Sequence, residues 1–190
     1  LKPETNITAE VGMRWYGKQN TISLTGWQSE YDDLITLVPI NNGALRQRQN
    51  IASATLRGLE LEGQARFNDT WSSRYSLATL WGANDTANQP LPAISPLTAS
   101  VSLRYDHSDW YSEAVVTAVQ GRKRIAKQEE RETAGFANVN FYAGAYLDAW
   151  FGDKFTGWTL MGGVENLLDA TQTLPTATEN IRLPQTYTNP

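Results

Sequence analysis

The chain has 190 residues, 41% of them hydrophobic, a formal net charge of −4 and a mean hydropathy of −0.45. This is the size of one ordinary domain, and it lacks the roughly 18 consecutive apolar residues that make a membrane helix. A transmembrane barrel stays open, because its strands need only about 9–11 residues and alternate apolar with polar. The absence of cysteine excludes a disulfide framework, a thiol nucleophile and a cysteine metal site. A single histidine, His107, excludes a histidine metal cluster, and the lack of a broad basic face argues against a nucleic-acid partner. Seven Trp and eight Tyr are many for this length. They would be core in a soluble protein and interface girdles in a barrel.

In chain order, Leu1–Thr5 is a loop entering a sheet, and the first strand covers about Ile7–Tyr16. In it Ala9, Val11, Met13 and Trp15 alternate with Thr8, Glu10, Gly12 and Arg14, the period of two that marks a strand. After the turn at 17–20 a second strand covers about Thr21–Tyr31, in which Trp27 has no assignable face. A long connection over 32–50 holds Pro39 and Asn41-Asn42-Gly43. The third strand, about Ile51–Phe67, alternates Leu59, Leu61, Gly63 and Ala65 with Glu60, Glu62, Gln64 and Arg66. A turn at 68–70 leads to the fourth, about Trp71–Ala83. A loop rich in Asn, Pro and Ala over 84–96 precedes the fifth, about Leu97–Tyr105, and the turn 106–109 precedes the sixth, about Trp110–Val119. A charged loop over 120–136 follows, then the seventh strand, about Ala137–Leu147. The eighth begins at Trp158 and ends in Gly-Val-Glu-Asn-Leu-Leu-Asp (163–169), followed by a Thr- and Pro-rich tail.

The connections alternate short and long, as periplasmic turns and extracellular loops do in outer-membrane barrels. Trp15, Tyr16, Phe67, Trp71, Tyr105, Trp110 and Trp158 stand beside the short turns, where an interfacial ring would lie. One strand face is strongly charged, with Glu10, Arg14, Glu60, Glu62, Arg66, Arg104 and Glu113. In a barrel that face is the wet lumen; in a soluble sheet it is the solvent face. Glu60 and Glu62 share a face at roughly 7 Å, a spacing that suggests a glycosidase carboxylate pair. Alternating glutamates on a lumen wall are the plainer reading, and no catalytic residue is assigned. The basic stretch Arg122, Lys123 and Arg124 in the charged loop, and Arg46 and Arg48 on the other long connection, are candidates for capturing an anionic ligand. Asp106, His107 and Asp109 form a possible metal trio, though a turn explains them as well. Nothing in the sequence calls for a cofactor, since it lacks a phosphate-binding glycine loop, a nucleophile elbow and zinc spacing.

Five features occur in order: Leu-Lys-Pro-Glu (1–4), Arg-Gly-Leu-Glu-Leu-Glu-Gly (57–63), Pro-Leu-Pro-Ala-Ile-Ser-Pro (90–96), the strand after Gly135-Phe136, and Gly-Val-Glu-Asn-Leu-Leu-Asp. Each is weak alone; in this order and spacing they resemble the C-terminal part of the barrel of TonB-dependent outer-membrane receptors. The resemblance implies an all-β, antiparallel, up-and-down transmembrane segment of about eight strands, part of a barrel of about 22. Residues 1–190 would then be one segment of that barrel, without plug domain or final strand. The implied function is import of a scarce nutrient across a Gram-negative outer membrane, a ferric siderophore by the family's commonest role. The implied partners are outer-membrane lipid, the N-terminal plug and the rest of the barrel, the TonB complex reached through an N-terminal part, and a small-molecule ligand such as a ferric chelate. Two other readings fit the pattern: a self-contained eight-stranded outer-membrane barrel with a structural or adhesive role, and a soluble β-sandwich binding module.

These readings separate in one experiment. For residues 1–190 we expect strand circular dichroism in detergent and none in plain buffer; a folded monomer in buffer would mean that the apolar face is a protein core.

Overall fold

The structure is a computed structural model that describes residues 1–41, 45–126 and 130–176. Among the described residues nine strands follow one another: β1 (Thr5–Tyr16), β2 (Asn20–Ile40), β3 (Leu45–Arg66), β4 (Trp71–Asn84), β5 (Gln89–Pro90), β6 (Thr98–Asp106), β7 (Trp110–Val119), β8 (Phe136–Tyr146) and β9 (Thr159–Val164). A single helical turn, α1 (Leu147–Phe151), and a 3-10 turn (Asp153–Phe155) join β8 to β9. All strand pairs are antiparallel, in the order β1-β2-β3-β4-β6-β7-β8-β9, and β5 adds two residues to the end of β4. Each strand therefore lies beside its successor, the up-and-down arrangement expected from short connections.

The register explains the sequence alternation. One row across seven strands is Met13, Leu24, Leu61, Leu77, Ala99, Ala118 and Ala137. The adjacent row is Arg14, Ser23, Glu62, Ser76, Ser100, Thr117 and Asn138. The first is apolar throughout and the second polar throughout. Slipping a strand by one residue would turn its polar face toward the apolar row, so the pattern fixes the pairing.

Among the described residues, no second layer covers the apolar face. Val11 is 76% exposed, Met13 69% and Val101 50%, and no large side chain among the described residues is fully buried. A sandwich would need a second sheet on this face, and the described residues form one sheet. β1 pairs with β2 alone and β9 with β8 alone, so that sheet is also not closed into a small barrel.

The height of the apolar face matches a bilayer. Trp71 and Trp81 stand ten residues apart on the outer side of β4. At about 3.3 Å per residue and a tilt of about 40°, this is about 25 Å, the apolar height of an outer-membrane barrel. At the short-turn end Trp71 lies 5.0 Å from Tyr105, and Tyr105 5.3 Å from Trp110, between ring centroids. This is the expected aromatic ring, with one correction: Tyr16 follows Arg14 by two residues and lies on the polar side.

Other differences lie in the connections. The expected long loop over 32–50 is mostly strand, since β2 runs to Ile40 and β3 starts at Leu45; residues 42–44 lie outside the described residues. Leu34–Ile40 is apolar on nearly every position, which hides the period of two, and Pro39 pairs with Arg46 close to the strand end, where a missing N–H costs little. The fifth expected strand starts one residue later, at Thr98. Trp27 lies on the polar face, over Gly58: a Cβ at Gly58 would collide with the indole, so only glycine fits beneath it.

Replacing Leu77 by Arg, midway up the apolar face, should cost about 2–4 kcal/mol of unfolding free energy in lipid. Ser76→Arg, one residue away on the polar face, should cost about 0.5 kcal/mol or less. Urea titration in phospholipid vesicles measures both, and equal costs would rule out a lipid-facing side.

Candidate functional site

Two structures carry charge on the polar face. The first is the wall itself. Glu10, Arg14, Glu60, Glu62, Arg66, Arg104 and Glu113 all fall on one face by register, because each pairs across the ladder with a polar-row neighbour or lies two residues from one that does. Its centre is Glu113 on β7, only 9% exposed. A carboxylate so removed from water needs cationic partners. Arg74 Nη2 donates to its Oε1 at 2.7 Å, and Arg104 Nη1 lies 4.0 Å from its Oε2. Arg104 is itself fixed from three sides. It donates to Asp106 at 2.6–3.0 Å and to the Tyr146 hydroxyl at 3.3 Å, and its guanidinium sits 3.8 Å above the Tyr111 ring. Beside this network a cavity of about 530 Å³ opens on the wall, lined among others by Arg14, Glu62, Arg74 and Glu113.

The second is a loop platform at the long-connection end. The buried apolar residues among the described residues, Ala54, Leu91, Ile125 and Ala126, all lie toward this end. Glu130 holds the platform together. Its Oε2 accepts from Arg122 Nη2 at 2.7 Å and from the Ala126 amide at 3.2 Å; its Oε1 accepts from the Ala93 amide at 2.7 Å. Arg122 also donates to the Pro175 carbonyl at 3.2 Å. One carboxylate thus joins the loop after β5 to the loop after β7, and Arg122 adds the segment after β9. The loop arms close at Gly121 and Gly135, where a Cβ on either would fall within 3 Å of the other's backbone nitrogen.

The residues singled out from the sequence separate accordingly. Arg122 is 4% exposed and committed to Glu130. Lys123 is exposed. Arg124 is exposed and donates to the Gly82 carbonyl at 2.8 Å. Arg46 and Arg48 stand on the β2–β3 extension, opposite Pro39 and Leu37. The trio at 106–109 is a turn: Asp106 is held by Arg104, and His107 stacks on Trp110 with ring centroids 5.8 Å apart. No group of three or more His, Cys, Asp or Glu that could hold a metal occurs among the described residues. Sequence reasoning missed Glu130, which it left within the charged loop over 120–136. The available signal was Ile125-Ala126, an apolar pair set between a basic and an acidic stretch.

The Gly-Val-Glu-Asn-Leu-Leu-Asp stretch has a structural use. β9 ends at Val164, and Asn166 turns the chain out of the sheet at φ 51°. Its amide donates to Asn140 Oδ1 at 2.8 Å, and its side chain exchanges two hydrogen bonds with the Ala170 backbone, at 2.9 and 3.1 Å. Asparagine tolerates this left-handed backbone and supplies both partners.

A single antiparallel sheet with an unclad apolar outside about 25 Å tall and a charged inside is the wall of an outer-membrane-type β-barrel. The family model described as "TonB dependent receptor-like, beta-barrel" matches residues 1–167, and the chain belongs to that family. Its place is therefore the outer membrane of a Gram-negative bacterium. The vitamin B12 transporter BtuB of Vibrio vulnificus is 36% identical over 62 residues, 33% of this chain and 10% of that protein. The copper transporter OprC superposes with a TM-score of 0.83 at 25% identity, over 92% of this chain and 27% of its own. The ferric yersiniabactin uptake receptor FyuA from Yersinia pestis superposes at 0.66 with 18% identity, over 87% of this chain and 25% of its own. This chain thus spans about a quarter of these solved receptors.

Removing the platform's central carboxylate should loosen the platform and spare the sheet. Glu130→Ala leaves the buried Arg122 guanidinium unpaired, a defect worth about 3–5 kcal/mol. Trypsin should then cut at Lys123 or Arg124 at least tenfold faster, with the detergent-resistant strand signal unchanged. An unchanged cleavage rate would mean that Glu130 does not hold the loop.

Proposed function

We propose that residues 1–190 form a C-terminal segment of the barrel of a TonB-dependent receptor that imports a ferric siderophore. In this reading the long-connection end faces the outside and captures the ligand, and the charged wall meets the plug and the passing ligand. The remainder of the receptor supplies the plug and the segment that engages the TonB complex. The role is binding and passage, without catalysis. The observation that carries it is the pairing of a wet, charged concave wall with basic residues at the long-connection end. Arg46, Arg48 and Lys123 are the ligand contacts in this reading; a ferric chelate is bulky and often anionic, and guanidinium and ammonium groups suit its oxygens. Arg122 acts indirectly, by holding the loop that carries Lys123, and Arg124 turns away from the lumen.

A second reading is copper uptake, favoured by the likeness to the copper transporter. Donor chemistry weighs against it for this part of the barrel. Copper prefers sulfur and imidazole, and the chain has no Cys, two Met and one His, the last in a short turn at the opposite end. Cobalamin is a third candidate, from the partial match to the B12 transporter.

The test is uptake by the full-length receptor in cells, with and without a working TonB complex, using radiolabelled ferric siderophores, copper and cobalamin. We expect TonB-dependent accumulation of a ferric siderophore. The combined variant Arg46→Gln, Arg48→Gln, Lys123→Gln should weaken its binding about tenfold or more. Uptake of copper or cobalamin alone would overturn the siderophore reading; uptake of none would overturn the transport reading.

A further inference from the structure

The outer face carries an arginine that the barrel architecture leaves unexplained. Arg57 on β3 belongs to the row Ala9, Gln28, Arg57 and Trp81. That row is where the apolar face ends on the long-connection side. Below it stand Val11, Leu59 and Leu61; above it Glu30 and Thr55 stand between Ile7 and Ala83, so polar groups enter the face at this level. Arg57 is exposed and, among the described residues, makes no ion pair. Its neighbour Trp81 is 46% exposed and marks the upper edge of the bilayer on β4.

A second arginine reaches the same place from elsewhere in the chain. β4 pairs with β6 only as far as Ala78, so the edge of β4 beyond it is free of β6. β5 covers part of that edge, and Arg124 of the loop after β7 reaches it to donate to the Gly82 carbonyl. Arg124, Arg57 and Trp81 then line one cavity of about 610 Å³. Asp85 also lines it; its carboxylate accepts from the Thr55 hydroxyl at 2.7 Å, and among the described residues it forms no ion pair with either arginine. Two cations from elements far apart in sequence thus converge beside an interfacial tryptophan, at the level where a bilayer changes from acyl chain to headgroup.

We propose that this cavity is a binding site for the phosphorylated headgroup of lipid A in the outer leaflet. The two guanidinium groups take a phosphate through paired N–H donors, and the acyl chains continue down the Leu59–Leu61 surface. The proposal rests on the outward orientation of the long-connection end and is independent of the transported ligand. It also gives the loop platform a second anchor, since Arg124 ties the loop after β7 to the membrane surface.

The test uses the full-length receptor in detergent and reads its binding to three probes by native mass spectrometry: bisphosphorylated lipid A, dephosphorylated lipid A and inorganic phosphate. We expect retention of bisphosphorylated lipid A, little retention of the dephosphorylated form, and inorganic phosphate only at millimolar concentration. Arg57→Gln should weaken lipid A binding about tenfold, and Arg57→Gln with Arg124→Gln more. Lys154→Gln removes a positive charge near the short-turn end and should have no effect. Arg57 holds no other group, so its variant folds even if the Arg124 variant does not. Equal binding of the dephosphorylated form, an unaffected Arg57→Gln, or an equal loss in Lys154→Gln would each overturn the proposal. Phosphate bound as tightly as lipid A would overturn the lipid assignment in favour of a free anion.

Discussion

A strand that crosses hydrocarbon has no water to satisfy its backbone, so every N–H and C=O must find a partner within the sheet. The rest of this structure follows from that requirement. It demands long, continuous antiparallel ladders, and those ladders fix which residues share a row. The ladders in turn place one face against lipid and the other against water, and strict alternation in the sequence is what makes both faces tolerable. The free edges of β1 and β9 are the places where the requirement is unmet within the segment. In the proposed receptor, neighbouring strands of the larger barrel satisfy them.

The two faces solve different problems. The outer face needs apolar area and small residues, and gains its boundaries from indole and phenol rings. The inner face must carry charge without exposing unpaired ions where water is scarce. It does so by enclosing acidic groups between arginines: Glu113 between Arg74 and Arg104, and Glu130 against Arg122. The first group keeps the wall polar near its short-turn end. The second is almost fully buried, and burial of that kind specifies one loop arrangement more than it adds stability.

The loop platform gives the long-connection end of the sheet buried side chains of its own. Long loops at the rim of a barrel have little apolar area of their own, and without a core they would move freely. Here Leu91, Ile125 and Ala126 are buried, and one carboxylate cross-links the segments around them. Lys123 is therefore presented by an ordered loop, while Arg124 of the same loop faces the outer side.

The alternation of Leu59 to Arg66, and of Thr98 to Tyr105, was enough to establish strands, their faces and the all-β class, because side chains in a strand point to opposite sides whatever surrounds them. The ordered motifs carried the family resemblance, and the placement of short turns at Asn68-Asp69-Thr70 and Asp106–Asp109 followed from residue type. Tertiary structure decided what has no local period. Trp27 could not be assigned until Gly58 was found beneath it. Arg122, Lys123 and Arg124 are one basic run in sequence, yet one is buried, one faces water and one reaches the outer face. Their separation depends on Glu130, Gly82 and the free edge of β4, which come from distant parts of the chain. Contacts of that kind are set by how elements meet in space, and a linear pattern carries no record of them.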